Sequence, residues 1–194
     1  MSRLNVQMKS IKHDLILEKA SEMFETHGFN ELKVSDLAHE VGVSVGTIYA
    51  YFDSKEGLFS ACIAAQIEEI YALFAKLFDE ETSFEALIEK SVQIKFDAIS
   101  KKRKTLETSA FNNPFFFESQ QIAHKEGLDK IHRLFIDAID ENKGVDVDSM
   151  QLVYVLNAIG NAYVLRWIEG EFADLNSKAK EVTSLFINML KGCQ

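Results

Sequence analysis

Apolar residues recur at three- and four-residue spacing along nearly the whole chain, and this spacing predicts a protein built of α-helices. Ile16, Ala20 and Phe24 form one such stripe, on a first helix predicted from Ile11 to just before Gly28. No stretch alternates between apolar and polar residues in the way that a half-buried strand does. The pattern therefore predicts an all-α fold of about nine helices.

Two short helices follow the first one, and a glycine turn separates them. The second helix is predicted to end at Gly42, and the third to run over residues 45–52. Ser44 stands at the N-cap position of the third helix, where its hydroxyl can accept a hydrogen bond from the amide of Gly46 or Thr47. This layout is typical of a helix-turn-helix, whose second short helix enters the major groove of DNA.

A long fourth helix is predicted after Asp53 and Ser54, and further helices follow to the C-terminus. The later helices are predicted close to residues 83–100, 102–112, 115–141, 147–169 and 175–191. We therefore divide the chain into an N-terminal three-helix domain over residues 1–54, with the linking helix starting at 55–60, and a helical domain over 55–194.

The charge balance of the chain is acidic, although neutralisation of phosphates supplies much of the affinity of a DNA-binding protein. The net charge is −9, and residues 1–60 hold six Lys and Arg against nine Asp and Glu. A DNA-binding face must therefore come from the distribution of charge. We expect Glu18, Glu22 and Glu25 to face away from a surface formed by Arg3, Lys9, Lys12, Lys33 and Lys55.

Residue patterns typical of enzymes and metal proteins are missing from the sequence. Cys62 and Cys193 stand far apart with no CxxC motif, which predicts neither a metal site nor a disulfide. His124 and His132, eight residues apart, are interpreted as solvated or capping residues rather than ligands. No nucleotide-binding glycine motif occurs. Because no long uninterrupted apolar run is present, we expect neither a leader nor a membrane span. We expect a cytoplasmic protein that is not an enzyme and that binds no cofactor.

The run from Gly42 to Leu58, GVSVGTIYAYFDSKEGL, resembles the DNA-binding segment of the TetR/AcrR family, which typically reads G-V-S-x-G-T-[LIV]-Y-x-[YH]-F-x-S-K-E-x-L. Phe24, Gly28 and Phe29 extend the resemblance to the end of the first helix. The resemblance implies a bacterial transcription regulator, most often a repressor, that binds a palindromic operator as a homodimer. A small, largely apolar or aromatic effector would release it from DNA.

The resemblance also implies roles for individual residues. Val45, Gly46 and Tyr51 would face the bases, whereas Thr47, Tyr49 and Lys55 would contact phosphates. The chain departs from the family pattern where Lys33 replaces the usual capping threonine of the second helix, which leaves that cap weaker. The full predicted DNA-binding set is Lys33, Ser35, Ser44, Val45, Gly46, Thr47, Tyr49, Tyr51 and Lys55.

In this family the C-terminal helices usually hold the effector and form the dimer. The chain has 15 phenylalanines, many of them after residue 70, and an aromatic cavity lining would suit an apolar ligand. The ligand candidates are Phe111, Phe115, Asn157, Asn161 and Trp167, and ordinary core packing is the alternative for each. Because the helix near 150–168 is apolar nearly all round, we expect a four-helix dimer interface. Its predicted residues are Leu156, Ile159, Tyr163, Val182, Leu185, Phe186 and Met189.

Two interpretations of the C-terminal domain stay open at this point. It can sense a small molecule, or it can belong to a regulator that binds DNA constitutively or acts with a protein partner. A filled C-terminal core would favour the second interpretation. The operator, the regulated genes, the identity of the effector and the sign of regulation are not specified by the sequence.

Overall fold

The computed structural model describes residues 3–80, 83–101, 124–144 and 146–192. Within these ranges the chain forms eight α-helices, a short 3-10 helix at Asn176–Lys178 and no strand, so the predicted all-α fold is confirmed. The helices are α1 (Arg3–Glu31), α2 (Val34–Val41), α3 (Val45–Phe52), α4 (Lys55–Glu80), α5 (Phe84–Ser100), α6 (Lys125–Asn142), α7 (Ser149–Ile168) and α8 (Ala179–Gly192). The helix predicted over 102–112 lies outside the described residues.

The first helix is longer than the sequence pattern predicted. α1 begins at Arg3 instead of near Ile11, and it continues past Gly28 to Glu31. Gly28 interrupts the helical path, because its φ of 81° and ψ of 167° are not helical. The early turns escaped prediction because Met8 and Ile11 are 50% and 61% exposed, so no buried stripe marks them.

The described chain divides into two compact units. The first contains residues 3–66 with His124, and the second contains 67–101 and 125–192. The division falls inside α4, so this helix contributes residues to both units. Within the described ranges α4 is also the one helix whose length and composition would allow it to cross a membrane, a test that core helices of soluble proteins also pass. The domain bounds of 1–54 and 55–194 stay a prediction.

The core of the first unit is built from the stripes that the sequence indicated. Fully or largely buried side chains from all its helices meet there: Ile16, Ala20, Phe24, Leu37, Ala38, Ile48, Phe52, Leu58 and Cys62. The rings of Phe24, Phe29 and Phe59 pack with centroids 4.9 to 5.9 Å apart. This core holds α2 and α3 against α1 and the first turns of α4.

The core of the second unit contains four of the seven residues predicted for the dimer interface. Leu156 and Tyr163 are only 7% exposed, and Val182 and Phe186 are fully buried, all within their own chain. Apolar residues around the whole of a helix indicate that it is covered, but they do not say which face its own subunit covers. Of the remaining candidates, Leu185 is 50% exposed, whereas Ile159 and Met189 are partly buried.

Candidate nucleic-acid interface

A glycine in the left-handed backbone conformation forms the turn between α2 and α3. Gly42 has a φ of 70°, a conformation that side chains with a Cβ disfavour. The amides of Gly42 and Val43 donate to the carbonyls at the end of α2, with Val43 N lying 2.9 Å from Ala38 O. These bonds close α2 and turn the chain directly into α3.

The start of α2 lacks a side-chain cap, as the departure at Lys33 predicted. The N-cap residue Lys33 is extended and makes no capping hydrogen bond. Ser35 does not compensate, because its hydroxyl lies 3.3 Å from Asp36 Oδ1 and donates to it. Both Lys33 and Ser35 are exposed, so their side chains are open to a partner.

The start of α3 is capped by Ser44. Its Oγ accepts from the amide of Thr47 at 3.1 Å, and the two hydroxyls of Ser44 and Thr47 lie 2.8 Å apart. This is the cap predicted from the sequence, and it resolves the choice between Gly46 and Thr47 in favour of Thr47. The hydroxyl of Thr47 is therefore held close to the N-terminus of α3.

α3 presents one face to the core and the opposite face to solvent. Ile48 is fully buried and Phe52 is 6% exposed, whereas Tyr49 is 40% exposed. Gly46 and Ala50 are exposed next to Tyr49. No residue of α3 carries a charge. The outer face thus offers small groups and a phenol that can approach another molecule closely.

The junction between α3 and α4 depends on a glycine at close approach. Asp53 adopts a positive φ of 61°, and the hydroxyl of Ser54 accepts from the amide of Gly57 at 2.9 Å. A Cβ placed on Gly57 would lie 2.0 Å from the carbonyl oxygen of Phe52. The first turn of α4 therefore packs against the end of α3 only because residue 57 has no side chain.

Tyr51 connects α3 to the early turns of α1. Its hydroxyl donates to the carbonyl of Lys9 at 3.2 Å, and its ring centroid lies 5.9 Å from that of His13. His13 also stacks on Phe52 at 5.0 Å. The sequence predicted a base-facing Tyr51, whereas the structure places it partly buried with its hydroxyl already bonded. Lys9 was missed as a neighbour of α3 because the predicted first helix began at Ile11, and His13 was missed because it lies 38 positions from Tyr51 in the sequence.

The basic residues of the first unit have different surroundings. Lys9, Lys12 and Lys33 are exposed. Lys55 is partly buried, donates to the carbonyl of Asn30 at 3.2 Å and lies 4.9 Å from the centre of the Phe29 ring. Lys19 differs from these lysines because it pairs with two acids, at 3.1 Å from Glu22 and 3.8 Å from Glu40. The hydrogen bond and charge of Glu22 raise the pKa of Lys19.

Two of the ligand candidates lie together in the second unit. The side-chain oxygens of Asn157 and Asn161 both accept from Lys95 Nζ, at 3.1 and 2.9 Å. Trp167 is 4% exposed and its indole N–H donates to the carbonyl of Ala173, so it belongs to the core. Phe111 and Phe115 lie outside the described residues. Lys95 was missed, although two asparagines four residues apart in an otherwise apolar helix signal a polar partner.

The two histidines singled out in the sequence, His124 and His132, are partly buried. Within the described ranges no group of three or more His, Cys, Asp or Glu side chains is placed to hold a metal ion. His124 Nε2 lies 3.1 Å from the hydroxyl of Ser60, and the ring of His132 lies 6.0 Å from that of Tyr154. Burial lowers the pKa of both histidines.

Comparison with known proteins supports the resemblance seen in the sequence. The family model for bacterial regulatory proteins of the tetR family matches residues 16–62. The HTH-type transcriptional repressor ComR of Escherichia coli K12 is 37% identical over 81 residues, which are 41% of this chain and 39% of ComR. The nucleoid occlusion factor SlmA of Pasteurella multocida is 20% identical over 172 residues, 85% of this chain and 86% of SlmA. This chain spans only 39% to 54% of the length of several of the curated regulators that it matches.

The solved structures agree on the fold. FadR of Bacillus subtilis, determined in complex with stearoyl-CoA, has a TM-score of 0.72 at 16% identity, covering 93% of this chain and 98% of FadR. The relatives ComR and UidR of Escherichia coli are named as HTH-type transcription regulators and not as enzymes, which agrees with the class predicted from the sequence. Residues 16–62 of the chain thus match the tetR family of bacterial regulatory proteins, and the fold of the whole chain resembles that of solved regulators.

Proposed function

We propose that the protein is a ligand-responsive repressor that binds a palindromic operator as a homodimer and is released by a small, largely apolar or aromatic effector. The observation that carries this proposal is the geometry of α3. The helix is capped by Ser44, anchored in the core by Ile48 and held against α4 at Gly57, while Gly46 and Tyr49 face outward. A rigid, uncharged outer face of this kind suits the major groove.

We assign base contacts to the N-terminal part of α3. Val45 can touch thymine methyl groups, and Gly46 allows a base edge to approach the backbone. The hydroxyls of Thr47 and Tyr49 can donate to phosphate oxygens. Lys33, Ser35, Ser44 and Lys55 complete the proposed DNA-binding set.

The role of Tyr51 is better described as positioning. Its hydroxyl bond to Lys9 holds the early turns of α1 beside α3. Exposed Lys9 and Lys12 are then carried next to the recognition helix, where their charges can neutralise phosphates. Pairing of Lys19 with Glu22 and Glu40 removes that cation from the same task. This distribution of charge supports DNA binding by an acidic chain.

We place the dimer interface on the exposed side of α7 and α8. Tyr154, Leu165 and Leu185 are large apolar or aromatic side chains that stay 56%, 43% and 50% exposed in the single chain. A second copy would cover the same residues by two-fold symmetry. The homodimer would set two α3 helices about one turn of DNA apart, which is the spacing of a palindrome.

The effector would bind among the helices of the second unit, whose core is rich in phenylalanine. FadR of Bacillus subtilis has been solved with stearoyl-CoA, a ligand with a long apolar chain, and shares this fold. A ligand that prefers one of two conformations of the dimer can shift DNA binding by its difference in affinity for them. The protein would act in the cytoplasm, where the DNA is.

A DNA-binding protein that needs no effector is the alternative. The match to SlmA, named as a nucleoid occlusion factor, covers 85% of this chain and favours keeping this alternative in view. Release of bound operator DNA by small organic compounds separates the two functions, since only the first predicts it.

Selection of bound duplexes from a random DNA library at low salt tests the proposal. We expect a palindrome to be enriched, with an affinity that falls steeply as salt is raised because bound counterions are displaced. Failure to enrich any sequence would contradict DNA recognition, and enrichment of a single half-site would contradict the homodimer.

Two substitutions test the proposed roles in α3. Tyr49→Phe should weaken binding to every duplex by a similar factor, since it removes a phosphate contact. Val45→Ala should reduce the preference for the selected site over scrambled DNA. The matched control is Tyr71→Phe, which removes the same hydroxyl from a partly buried tyrosine of the second unit that lies outside the proposed interfaces. Equal loss of affinity for all duplexes in both α3 variants would contradict the division of roles.

A further inference from the structure

A lysine of the second unit is held by two neutral amides. Lys95 lies on α5 and is partly buried. Its Nζ donates to Asn157 Oδ1 at 3.1 Å and to Asn161 Oδ1 at 2.9 Å. The two asparagines stand one turn apart on α7, so they form a pair of acceptors on one side of the ammonium.

The charge of Lys95 has no counterion among the described residues. No carboxylate in these ranges lies within 4 Å of Nζ, and α7 contains no acidic residue. Two acids of the packed elements are engaged elsewhere, since Asp97 accepts from Asn176 and Glu181 accepts from Tyr163. Burial lowers the pKa of Lys95 to about 8.

The other charged groups of α5 and α7 do not neutralise Lys95 either. Glu85 and Glu89 lie about 80° or more around the α5 axis from Lys95, at 100° per residue. Arg166 is the one charged residue of α7, and it pairs with Glu171 at 2.7 Å. A buried ammonium without an opposite charge is unfavourable, so binding of an anion next to Lys95 would lower the free energy of the site.

The chain leaves hydrogen-bond donors around Lys95 unused within its described residues. An ammonium has three N–H donors, and the asparagines use two of them. Because the amide oxygens must face the ammonium, the Nδ2 groups of Asn157 and Asn161 point away from it. Within the described residues neither Nδ2 group has an acceptor. One ammonium proton and two amide groups therefore remain for a ligand that only accepts hydrogen bonds.

Beside the two asparagines, α7 packs closely against Lys95 and Phe96 of α5. Gly160 lies between the two asparagines, and a Cβ placed on it would be 3.5 Å from Lys95 Nζ and 3.9 Å from the Phe96 ring. Phe96 is fully buried in the core of the unit. A ligand whose polar end binds these donors would therefore have the apolar core of the unit beside it.

We propose that Lys95, Asn157 and Asn161 bind the carboxylate of an organic acid whose remaining part is apolar. This inference rests on the proposed function, because it names the polar end of the effector. A carboxylate carries one negative charge against one ammonium, and both its oxygens accept hydrogen bonds. A phosphate dianion would bring more negative charge than the single cation balances.

The test follows the side chain of Lys95 itself by nuclear magnetic resonance in the full chain labelled with ¹³C and ¹⁵N lysine. Lys95→Met identifies its Cε and Nζ signals by their loss. The probes are octanoate and benzoate, each compared with its neutral amide, and inorganic phosphate. Lys90→Met, which removes an exposed lysine of the same helix, is the matched control.

We expect both acids to shift the Lys95 signals, and the neutral amides and phosphate to leave them unchanged. The affinity for the acids should stay constant at lower pH and fall above the Lys95 pKa of about 8, as the ammonium is lost. Lys95→Met should lower the affinity for the acids at least about tenfold, the usual effect of losing a charged hydrogen bond. Lys90→Met should bind them like the natural chain.

Four results would overturn the inference. They are no shift of Lys95 with either acid, equal binding of acid and amide, a stronger shift with phosphate than with the acids, and a Lys95 pKa in the unliganded chain at or above its ordinary 10.5. The last would mean that a carboxylate of the protein already neutralises it. If Lys95→Met does not fold, Lys95→Arg identifies the Lys95 signals by their loss instead, and the acid and amide comparison and the pH profile then decide.

The experiment contains no DNA, so its outcome does not depend on whether the proposed DNA-binding function is correct. An enriched palindrome with no carboxylate bound at Lys95 would refute this inference and leave the regulator intact. Carboxylate binding without any DNA selectivity would refute the regulator and leave the anion site intact.

Discussion

Two glycines of the helix-turn-helix should respond in opposite ways to the same substitution. In Gly57→Ala the new Cβ would meet the Phe52 carbonyl oxygen at 2.0 Å, against the 3.4 Å at which ordinary contact begins. In Gly46→Ala the nearest atom is Ser44 Oγ at 3.8 Å, so the methyl group fits. Both changes favour a helix, because alanine has the higher propensity.

The magnitudes follow from these distances. Overpacking a rigid site costs about 1–3 kcal/mol, and Gly57→Ala should lie at the upper end because a backbone carbonyl cannot rotate away. Gly46→Ala should instead stabilise the chain by up to about 1 kcal/mol. For a chain of this size the melting temperature should fall by about 5–10 °C in the first variant and rise by about 2–4 °C in the second.

Urea unfolding and operator binding, measured on both variants, test this contrast. Gly57→Ala should lose affinity for DNA together with stability, since the orientation of α3 depends on its junction with α4. Gly46→Ala should lose affinity while it gains stability, because its methyl group stands where we propose that a base approaches. A Gly57→Ala chain as stable as the natural one would refute the close approach, and unchanged DNA affinity in Gly46→Ala would refute the base contact.

Two further predictions concern the second unit. Since Lys95 has a folded pKa of about 8 against 10.5 in the open chain, its destabilising effect is full below pH 8 and is relieved as pH rises toward 10.5. The natural chain should therefore gain about 1 kcal/mol of unfolding free energy relative to Lys95→Met between about pH 7 and 9 in urea titrations, and parallel curves would contradict this. Leu185→Glu should convert the dimer to monomers in sedimentation velocity, whereas Lys180→Glu on the same helix should not; a dimeric Leu185→Glu chain would place the interface elsewhere.

The helix-turn-helix could be predicted in detail because its determinants are local. The cap at Ser44 and the turn at Gly42 each depend on neighbours within a few residues, and the structure has both where the sequence indicated. The burial of Ile48 and Phe52 follows from their spacing of four residues, which puts them on one side of a helix.

Other features depend on contacts between distant parts of the chain, which a sequence pattern does not encode. The bond from Tyr51 to Lys9 joins residues 42 positions apart, and it changes the surroundings of a residue expected at the bases. Lys95 and Asn161 are 66 positions apart, so only the asparagine pair could have drawn attention to that site. Likewise, the spacing of apolar residues showed that Phe186 lies on an apolar helix face, but it did not show that the same subunit covers that face.

The absence of charge from α3 has a consequence for how the protein would behave under osmotic stress. Its residues Val45–Phe52 contain no ionisable acid or base apart from two tyrosines. Cations that neutralise phosphates lie outside this helix, so a rise in cellular salt weakens operator and non-operator binding by the same factor. The ratio of the two affinities is then nearly independent of ionic strength. In a bacterium whose cytoplasm becomes more saline, less of the regulator would be bound to DNA overall. The regulator that stays bound would still favour the same genes.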